Sequence, residues 1–331
     1  MENRKDSLAQ AGSGLRSSMI GALKVNGGVV AAYVLIFVIG STISPKFMTM
    51  NNQMSILRSI SSTALCAFGM TFVIMTGGID LSVGSFMSLC GCLTAVLIGK
   101  YGFSTGVAIT VAVITGLLFG MVNGFLITVM EMPAFIGTLA AMNILRGLSY
   151  VITGGRPVVF TNDVFPKIGT GFVGVIPLPV IYTLIVFVLL WVVLNRTRFG
   201  RKVYAVGGNI IAARYSGVNT SRTQFIVYVI SGVLSAFSGI ILISRLGSGQ
   251  PTIGEGAELD AIAACVVGGV SMKGGSGTLF GTLIGCLIIG SISNTLNLMG
   301  VNSFIQLIVK GIIIVISVYI DVLRIKLAKK T

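Results

Sequence analysis

The sequence predicts an all-α membrane protein: a polytopic bundle of about ten transmembrane helices with interrupted or re-entrant segments and one short cytoplasmic helix. Three observations support this fold class. Of the 331 residues, 54% are hydrophobic and only 10% are charged, whereas a soluble domain has roughly 25% charged residues. Uncharged runs recur along the chain at about the 20 residues that a spanning helix needs. The 44 glycines are typical of membrane helices that approach each other closely.

The predicted spans follow the uncharged runs and lie at residues 27–44, 51–76, 81–99, 104–130, 131–153, 176–194, 223–244, 258–270, 277–298 and 301–320. The eighth run is too short for a full span, so it is either the inner part of a crossing or a re-entrant segment. If it is re-entrant, the chain makes one crossing fewer and its carboxy-terminal tail changes sides. Residues 154–175 form a polar connection that is long enough to carry a short element.

The polar loop 196–222 sets the orientation of the bundle. It contains six Lys and Arg residues and no acidic residue, and cytoplasmic loops of membrane proteins collect positive charge. We therefore place this loop in the cytoplasm, together with the amino-terminal tail 1–26 and the basic carboxy-terminal tail 324–331. The transmembrane domain is then 27–323, and an even number of crossings is required.

The composition also excludes several function classes. There is no GxxxxGK(S/T) phosphate loop, no nucleotide-binding fingerprint and no histidine, so the chain cannot itself hydrolyse a nucleotide. The five cysteines all lie inside apolar runs, which indicates buried free thiols and no metal site. The net charge of +14 is explained better by positive-inside topology and attraction to lipid headgroups than by nucleic acid binding. We expect transport and no catalysis, with no cofactor bound by this chain.

Ionisable residues inside predicted spans are functional candidates, because each is costly in lipid. Asp80 either caps the third helix or acts as a gate or subunit contact, and Arg146 either snorkels or anchors a polar group in a permeation path. Glu258 and Asp260 open the eighth segment, where the helix dipole favours them. Lys310 lies near the middle of the last span, and we expect it to pair with Asp80, Glu258, Asp260 or a carbonyl group.

A short helix is predicted inside the polar loop. Asn209 is a good N-cap, the residues after it form about two helical turns, and Gly217 supplies a left-handed stop. This helix exposes Ile210, Ile211 and Tyr215, which is unusually apolar for a solvated loop. It therefore either docks into a groove of a partner or lies on the membrane surface.

One local repeat is visible. Residues 76–85 (TGGIDLSVGS) and 267–276 (VGGVSMKGGS) each place a Gly-Gly break between two apolar segments, and both breaks fall on the cytoplasmic side of the ten-helix scheme. Paired interrupted helices mark transport sites in some carriers, but glycine-rich turns are also common in membrane proteins. A repeat symmetry does not follow from this echo.

Five motifs in order carry a family resemblance that covers nearly the whole chain after the first helix. They are GGIDLSVGS (77–85), PAFIGTL (133–139), LRGLSY (145–150), FGRKVYAVGGNIIAARYSGV (199–218), and ELDAIAACVVGG with GGSGTLFGTLIG (258–269 and 274–285). This series resembles the permease subunit of ribose-type monosaccharide ABC importers, in the superfamily that also holds branched-chain amino-acid permeases.

The resemblance implies a homo- or heterodimer of permease subunits in a bacterial inner membrane. Two cytoplasmic ATPase subunits would bind ATP and magnesium, and an extracytoplasmic sugar-binding protein would deliver the substrate. The coupling helix that docks into the ATPase would comprise Asn209, Ile210, Ile211, Ala212, Ala213, Arg214, Tyr215, Ser216 and Gly217. Ile210 and Ile211 depart from the family, in which acidic residues are often found here. Candidates for a gate or a translocation path are Asp80, Pro133, Phe135, Arg146, Glu258, Asp260 and Lys310.

Three functions remain open at this stage. The first is the ABC permease, whose sugar the sequence does not name. The second is a self-contained secondary carrier, which the scarcity of acidic residues in the spans disfavours. The third is a membrane-embedded assembly subunit that transports nothing.

Overall fold

The computed structural model describes residues 27–328, and the side chains of residues 27–323. The predicted tail 1–26 and residues 329–331 lie outside the described residues. The described part contains thirteen helices and four two-residue strands: α1 (Gly27–Ile43), α2 (Met50–Met75), α3 (Val83–Gly99), α4 (Thr105–Thr128), α5 (Ala134–Thr153), β1 (Val158–Val159), α6 (Phe165–Thr170), β2 (Phe172–Val173), β3 (Ile176–Pro177), α7 (Leu178–Arg196), α8 (Arg198–Gly208), α9 (Ile210–Tyr215), α10 (Thr220–Leu246), β4 (Ser248–Gly249), α11 (Ala257–Val267), α12 (Leu279–Leu298) and α13 (Ser303–Ala328).

Seven of the described helices are long and apolar enough to cross a membrane, namely α2, α4, α5, α7, α10, α12 and α13. Two shorter apolar helices, α1 and α3, have 17 residues each. A helix of that length spans about 26 Å, which is slightly less than the hydrocarbon core of about 30 Å. The prediction of an all-α polytopic bundle is confirmed.

Contacts between helix ends give the direction of each passage. We call the end of the bundle that carries α8 and α9 the basic side. The start of α1 lies there, because Val29 is 3.9 Å from the position that a Cβ on Gly269 would take. The end of α2 also lies there, because the Met75 carbonyl accepts a hydrogen bond from Gly275. From α1 to α13, the described residues run the length of the bundle ten times in all. Helix α13 returns to the basic side, where Asp321 contacts Ser271.

The eighth passage resolves the alternative that the sequence left open. Helix α11 has 11 residues and is about 16 Å long, too short to cross alone. Residues 247–256 complete the passage as a non-helical segment that descends beside α3 from the opposite side. Along it, Gly249 lies against Cys92, and Gly254 lies against Gly84, nearer the basic side. The eighth segment is therefore the inner half of a crossing and not a re-entrant loop.

The third passage is also broken, but here the non-helical segment, and not the helix, lies toward the basic side. After α2 ends, residues 76–82 rise from the basic side without helical structure, and α3 begins only at Val83. The two non-helical segments meet where α3 begins, because Gly84 leaves no room for a Cβ beside the Gly254 carbonyl. The segment 247–256 is thus the structural counterpart of the break at 76–85. The similar sequence at 267–276 instead packs beside the break at 76–85 on the basic side.

Backbone groups of these broken segments need partners, because lipid offers none. The Ile79 carbonyl accepts hydrogen bonds from the hydroxyls of Tyr228 at 3.3 Å and Thr138 at 3.4 Å. The Pro251 carbonyl accepts from Ser88 at 2.8 Å and from Arg146 at 2.6 Å. Side chains on α3, α5 and α10 therefore hold the non-helical segments in place.

Close packing of small residues fixes the centre of the bundle. Helix α10 lies antiparallel to α4, and a Cβ at Gly116 would be 2.8 Å from the Gly232 carbonyl. A Cβ at Gly120 would lie 3.0 Å from the Tyr228 carbonyl. Such glycine contacts let two backbones approach and gain van der Waals energy in the absence of a hydrophobic driving force.

The connection after α5 carries short elements, as expected. Strand β1 pairs antiparallel with β4, and β2 pairs with β3 in a small hairpin that leads into α7. Between them, α6 is held to the end of α10, because the Ser244 hydroxyl accepts from the Gly169 N–H at 2.8 Å. These elements form a cap on the side opposite to the basic loop.

Candidate functional site

The predicted helix in the polar loop is present as α9. The Asn209 side chain accepts hydrogen bonds from the backbone N–H groups of Ile211 and Ala212, each at 3.0 Å, and caps the helix as expected. Gly217 ends the helix with φ of 80°, the left-handed conformation that glycine adopts most easily. The local prediction for this helix is confirmed.

One face of α9 is apolar and is not covered by the other residues that the structure describes. Tyr215 is 90% exposed and Ile211 is 65% exposed, whereas Ala213 is only 5% exposed. Ala213 therefore faces its own protein and is not available to a partner. The surface that a partner can reach is formed by Ile210, Ile211, Ala212, Arg214 and Tyr215, with Asn209, Ser216 and Gly217 at its ends.

Helix α8 was not predicted, although the sequence contains its signal. Thr197 caps it by accepting a hydrogen bond from the Gly200 N–H at 3.3 Å. Val203 and Val206 are buried, while Arg201 and Lys202 are exposed. The sequence signal is the spacing of Val203 and Val206 between the basic residues, which is typical of an amphipathic helix.

Helix α8 packs on the basic side against the two turns that follow α2 and α11. Gly207 lies so close to the Met75 carbonyl and to the Gly275 N–H that a Cβ cannot be placed there. The Tyr204 hydroxyl donates to the Gly277 carbonyl at 2.9 Å, and burial raises the pKa of this phenol above its usual value. The helix next to α9 is thus in direct backbone contact with the turns after α2 and after α11.

Asp80 is fully buried in a network of hydrogen bonds. Its carboxylate accepts hydrogen bonds from the Ser231 hydroxyl at 2.7 Å, from the Ser82 N–H at 3.0 Å and from the Ser82 hydroxyl. Ser82 in turn accepts from the Asn123 amide at 2.8 Å. The network fastens the non-helical segment 76–82 to α10 and α4, and Asp80 is not among the residues that line the groove between α5 and α11.

Arg146 and Glu258 line a groove between α5 and α11. Its volume is about 210 Å³, and Ser85 and Asn143 also line it. The Arg146 guanidinium donates to the carbonyls of Pro251 and Ile253, at 2.6 and 2.7 Å, so it does not snorkel to the surface. The Ser85 hydroxyl is buried and has no hydrogen-bond partner among the described residues. We call this the α5–α11 groove.

Asp260 is the partner of Lys310. The Lys310 Nζ atom is 2.9 Å from Asp260 Oδ2, and this is the one salt bridge found among the described residues. The pair connects α13 to α11 on the far side of α11 from Glu258. Of the three carboxylates considered for Lys310, the structure selects this one.

The remaining two candidates lie apart from the groove. Pro133 is the residue before α5, and Phe135 is 56% exposed on the first turn of that helix. The sequence-predicted path residues therefore occupy four places: the core, the α5–α11 groove, the α11–α13 contact and the start of α5. Within the described residues, no cluster of acidic or cysteine side chains could hold a metal ion.

Comparisons with known proteins agree on one family. The family model for the permease component of branched-chain amino acid transport systems matches residues 52–318. The chain is 48% identical to the ribose import permease protein RbsC of Bacillus subtilis over 303 residues, which cover 91% of this chain and 94% of the relative. It is 46% identical to RbsC of Escherichia coli K12 over 297 residues, covering 88% of this chain and 92% of the relative.

A third relative extends the range of sugars. The L-arabinose transport system permease protein AraH of Escherichia coli K12 is 38% identical over 327 residues, which cover 98% of this chain and 99% of the relative. No solved structure matches the chain.

Proposed function

This chain belongs to the family of permease components of branched-chain amino acid transport systems, and we propose that it carries a ribose-like monosaccharide across a bacterial inner membrane. It is a multi-pass membrane protein and the permease subunit of a monosaccharide ABC importer, and it is not itself an enzyme. The observation that supports the sugar most strongly is the 48% identity to a ribose permease over 91% of the chain.

The apolar face of α9 is our proposed contact with the ATPase. Ile211 and Tyr215 are large, exposed and unpartnered on the basic side, and an exposed apolar helix face on a soluble loop is stabilised by docking into a groove. The basic residues that surround it favour a cytoplasmic location for this side, and the proposal puts both chain ends there as well. ATP and magnesium would bind to the ATPase and not to this chain.

The opposite side would receive the sugar-binding protein. It presents the cap formed by β1, α6 and the β2–β3 hairpin, with exposed Phe172 and Val173 at the hairpin. A second permease subunit would complete the transmembrane path, as the family resemblance implies. The α5–α11 groove is the proposed wall of that path, because Arg146, Glu258, Asn143 and Ser85 offer both donors and acceptors to sugar hydroxyls.

Backbone contacts connect α9 to the α5–α11 groove, so a displacement of α9 can change the shape of the groove. A displacement of α9 moves α8, and Gly207 of α8 contacts the turns that follow α2 and α11. Those turns lead into the two broken passages, and α11 carries Glu258 on the groove. A small shift at the ATPase contact is thereby transmitted to the groove through packed backbone.

Reconstitution tests this function. The chain is placed in proteoliposomes with the ATPase and sugar-binding subunits of the same importer, and uptake of D-ribose, L-arabinose and leucine is measured. We expect uptake of ribose that requires ATP and every subunit. Uptake by the chain alone, driven by an ion gradient, would favour a secondary carrier, and selective uptake of leucine would favour an amino-acid permease.

A further inference from the structure

A polar cavity lies between α2, α11, α12 and α13, separate from the α5–α11 groove. Its volume is about 170 Å³, well above the roughly 10–15 Å³ that one water needs and below the roughly 300–1,000 Å³ typical of drug-sized ligands. Its lining comes mainly from α2 and α12, and Asp260 of α11 and Lys310 of α13 complete it. We call it the α2–α12 cavity.

The lining is unusually polar for a membrane bundle, and Ser55, Ser59 and Asn297 within it are exposed. Ser55, Ser59 and Thr63 form a stripe at helical spacing on α2, and Asn294 and Asn297 face them from α12. Polar side chains in a bilayer cost free energy and are found mainly where they bind each other, water or a guest. Asn294 is satisfied by a reciprocal amide pair with Asn52, at 3.0 Å in both directions.

Other groups in the cavity remain available. The side-chain hydroxyls of Ser59, Thr63 and Ser293 have no hydrogen-bond partner among the described residues. The side chains of Asp260 and Lys310 are 25% and 28% exposed, so each end of the ion pair still reaches the cavity. The free groups are a carboxylate acceptor, an ammonium donor and three hydroxyls that do both.

The charge of this lining favours an uncharged ligand. Asp260 and Lys310 neutralise each other, so the cavity has no net charge that would attract an anion or a cation. The mixture of donors and acceptors matches a small neutral molecule that carries several hydroxyl groups. Aromatic side chains, which stack on sugar rings, are absent from the residues that line the cavity. Binding there should accordingly be weak, as transport requires.

The depth of the cavity also fits passage of a solute. Asp260 lies in the first turn of α11, where the non-helical half of the eighth passage becomes helical. Asn294 and Asn297 lie near the end of α12 on the opposite side. Binding sites of transporters occur near the middle of the membrane beside broken helices.

We propose that the α2–α12 cavity is a transient binding site for the transported monosaccharide, with Ser59, Thr63, Ser293 and the Asp260–Lys310 pair contacting its hydroxyls. The proposal rests on the proposed function of the chain. The sugar would then contact two polar sites in the subunit, the α5–α11 groove and the α2–α12 cavity, on different sides of α11.

Cysteine labelling tests the site directly. Cys286 lines the same cavity and is therefore replaced by serine, and the other four native cysteines are fully buried, so the remaining background is low. In the reconstituted complex, Ser59→Cys is treated with a small, positively charged thiol reagent with and without D-ribose. We expect ribose to slow labelling at least threefold and sucrose, which is too large, to leave it unchanged. Tyr101→Cys, at a site 69% exposed on the opposite side, should be labelled at the same rate with either sugar.

Transport by conservative variants gives a second readout. Thr63→Val and Ser293→Ala should each lower the rate of ATP-driven ribose uptake about three- to tenfold, the loss expected for one hydrogen bond. Thr110→Val is the matched control, because Thr110 is exposed on α4 and bonds only its own backbone at Gly106. It should transport at the wild-type rate.

The two readouts separate this proposal from the function on which it rests. If the wild-type complex imports ribose while Ser59→Cys is labelled equally with and without it, the cavity is not a sugar site. Wild-type uptake by both Thr63→Val and Ser293→Ala has the same meaning. A wild-type complex that does not import ribose overturns the proposed function itself.

Discussion

The Met75 carbonyl accepts a hydrogen bond from the Gly275 N–H at 2.9 Å, and this contact joins the two broken passages of the bundle. Met75 ends α2 and Gly275 lies in the turn after α11, two hundred residues later in the chain. Gly207 of α8 packs on both atoms of this hydrogen bond. On the basic side, α8 therefore contacts both turns at a single place, the turn after α2 and the turn after α11.

The first prediction concerns this junction. Gly207→Ala places a Cβ against the Met75 and Gly275 backbones, which have no flexible side chain to yield, so something must shift. We expect a loss of about 1–3 kcal/mol of stability, as for other overpacked sites, together with reduced coupling of ATP hydrolysis to uptake. Thermal unfolding and the ratio of sugar imported to ATP hydrolysed measure the two effects.

The neighbouring glycine supplies the control. Gly208 also lies in α8, but a Cβ added there meets nothing within 4 Å. Gly208→Ala should therefore keep both the wild-type unfolding temperature and the wild-type coupling ratio. Equal behaviour of the two alanine variants would mean that the junction yields freely and transmits nothing.

The second prediction concerns docking of α9. Ile211→Asp puts a charge into the apolar face that is proposed to enter the ATPase groove, and it should reduce co-purification of the ATPase at least tenfold. Ile211→Leu keeps the apolar surface and should retain the partner. Asn209→Ala removes the cap, and the helix should lose about 1 kcal/mol of stability and bind the ATPase more weakly. Full recovery of the ATPase with Ile211→Asp would favour a membrane-surface role for α9.

The third prediction concerns the ion pair between α11 and α13. Lys310→Met leaves the Asp260 carboxylate without its partner in a partly exposed site. We expect destabilisation of about 1–3 kcal/mol, less than the roughly 3–5 kcal/mol for breaking a fully buried pair. Asp260→Asn combined with Lys310→Met should recover part of this loss, and a double-mutant cycle on unfolding measures the coupling. Additive losses would mean that Lys310 gains nothing from Asp260.

Much of the fold was predictable because lipid imposes simple rules on a sequence. Uncharged length identified the regular spans, and Asn209 with Gly217 located α9 to within one residue. The eighth passage could not be derived, since 247–256 crosses without helical structure and its hydropathy resembles that of a loop. Its contacts with α3, such as those of Gly249 with Cys92 and of Gly254 with Gly84, reveal that this segment lies inside the bundle.

The site was predictable in its residue types but not in its grouping. Lys310 needed a partner, yet Glu258 and Asp260 are two positions apart and face different sides of α11, which spacing alone does not decide in so short a helix. The hydroxyls of Ser59 and Thr63 carried no sequence signal, because serine and threonine are common in membrane helices, where they bond to their own backbone. Their importance comes from the cavity that they share with residues far along the chain.

The fourth prediction separates a structural carboxylate from one in the path. Asp80→Ala leaves the donors of Ser82 and Ser231 unsatisfied in the core, at about 1–3 kcal/mol for each buried group. We expect the variant to lose expression in the membrane. Glu258→Ala, on the open α5–α11 groove, should express and unfold normally but transport more slowly. An Asp80→Ala protein that unfolds like the wild type yet fails to transport would restore Asp80 as a gate.

The fifth prediction tests the orientation of the bundle with two exposed tyrosines. Tyr215 is on α9 and 90% exposed, and Tyr101 follows α3 on the opposite side and is 69% exposed. If the basic side is cytoplasmic, a membrane-impermeant thiol reagent added to intact spheroplasts should label Tyr101→Cys and spare Tyr215→Cys. In inside-out vesicles the pattern should reverse, because Tyr101 and Tyr215 lie at opposite ends of the bundle. Labelling of Tyr215→Cys in intact spheroplasts would invert the topology, and α9 would then lie out of reach of any cytoplasmic ATPase.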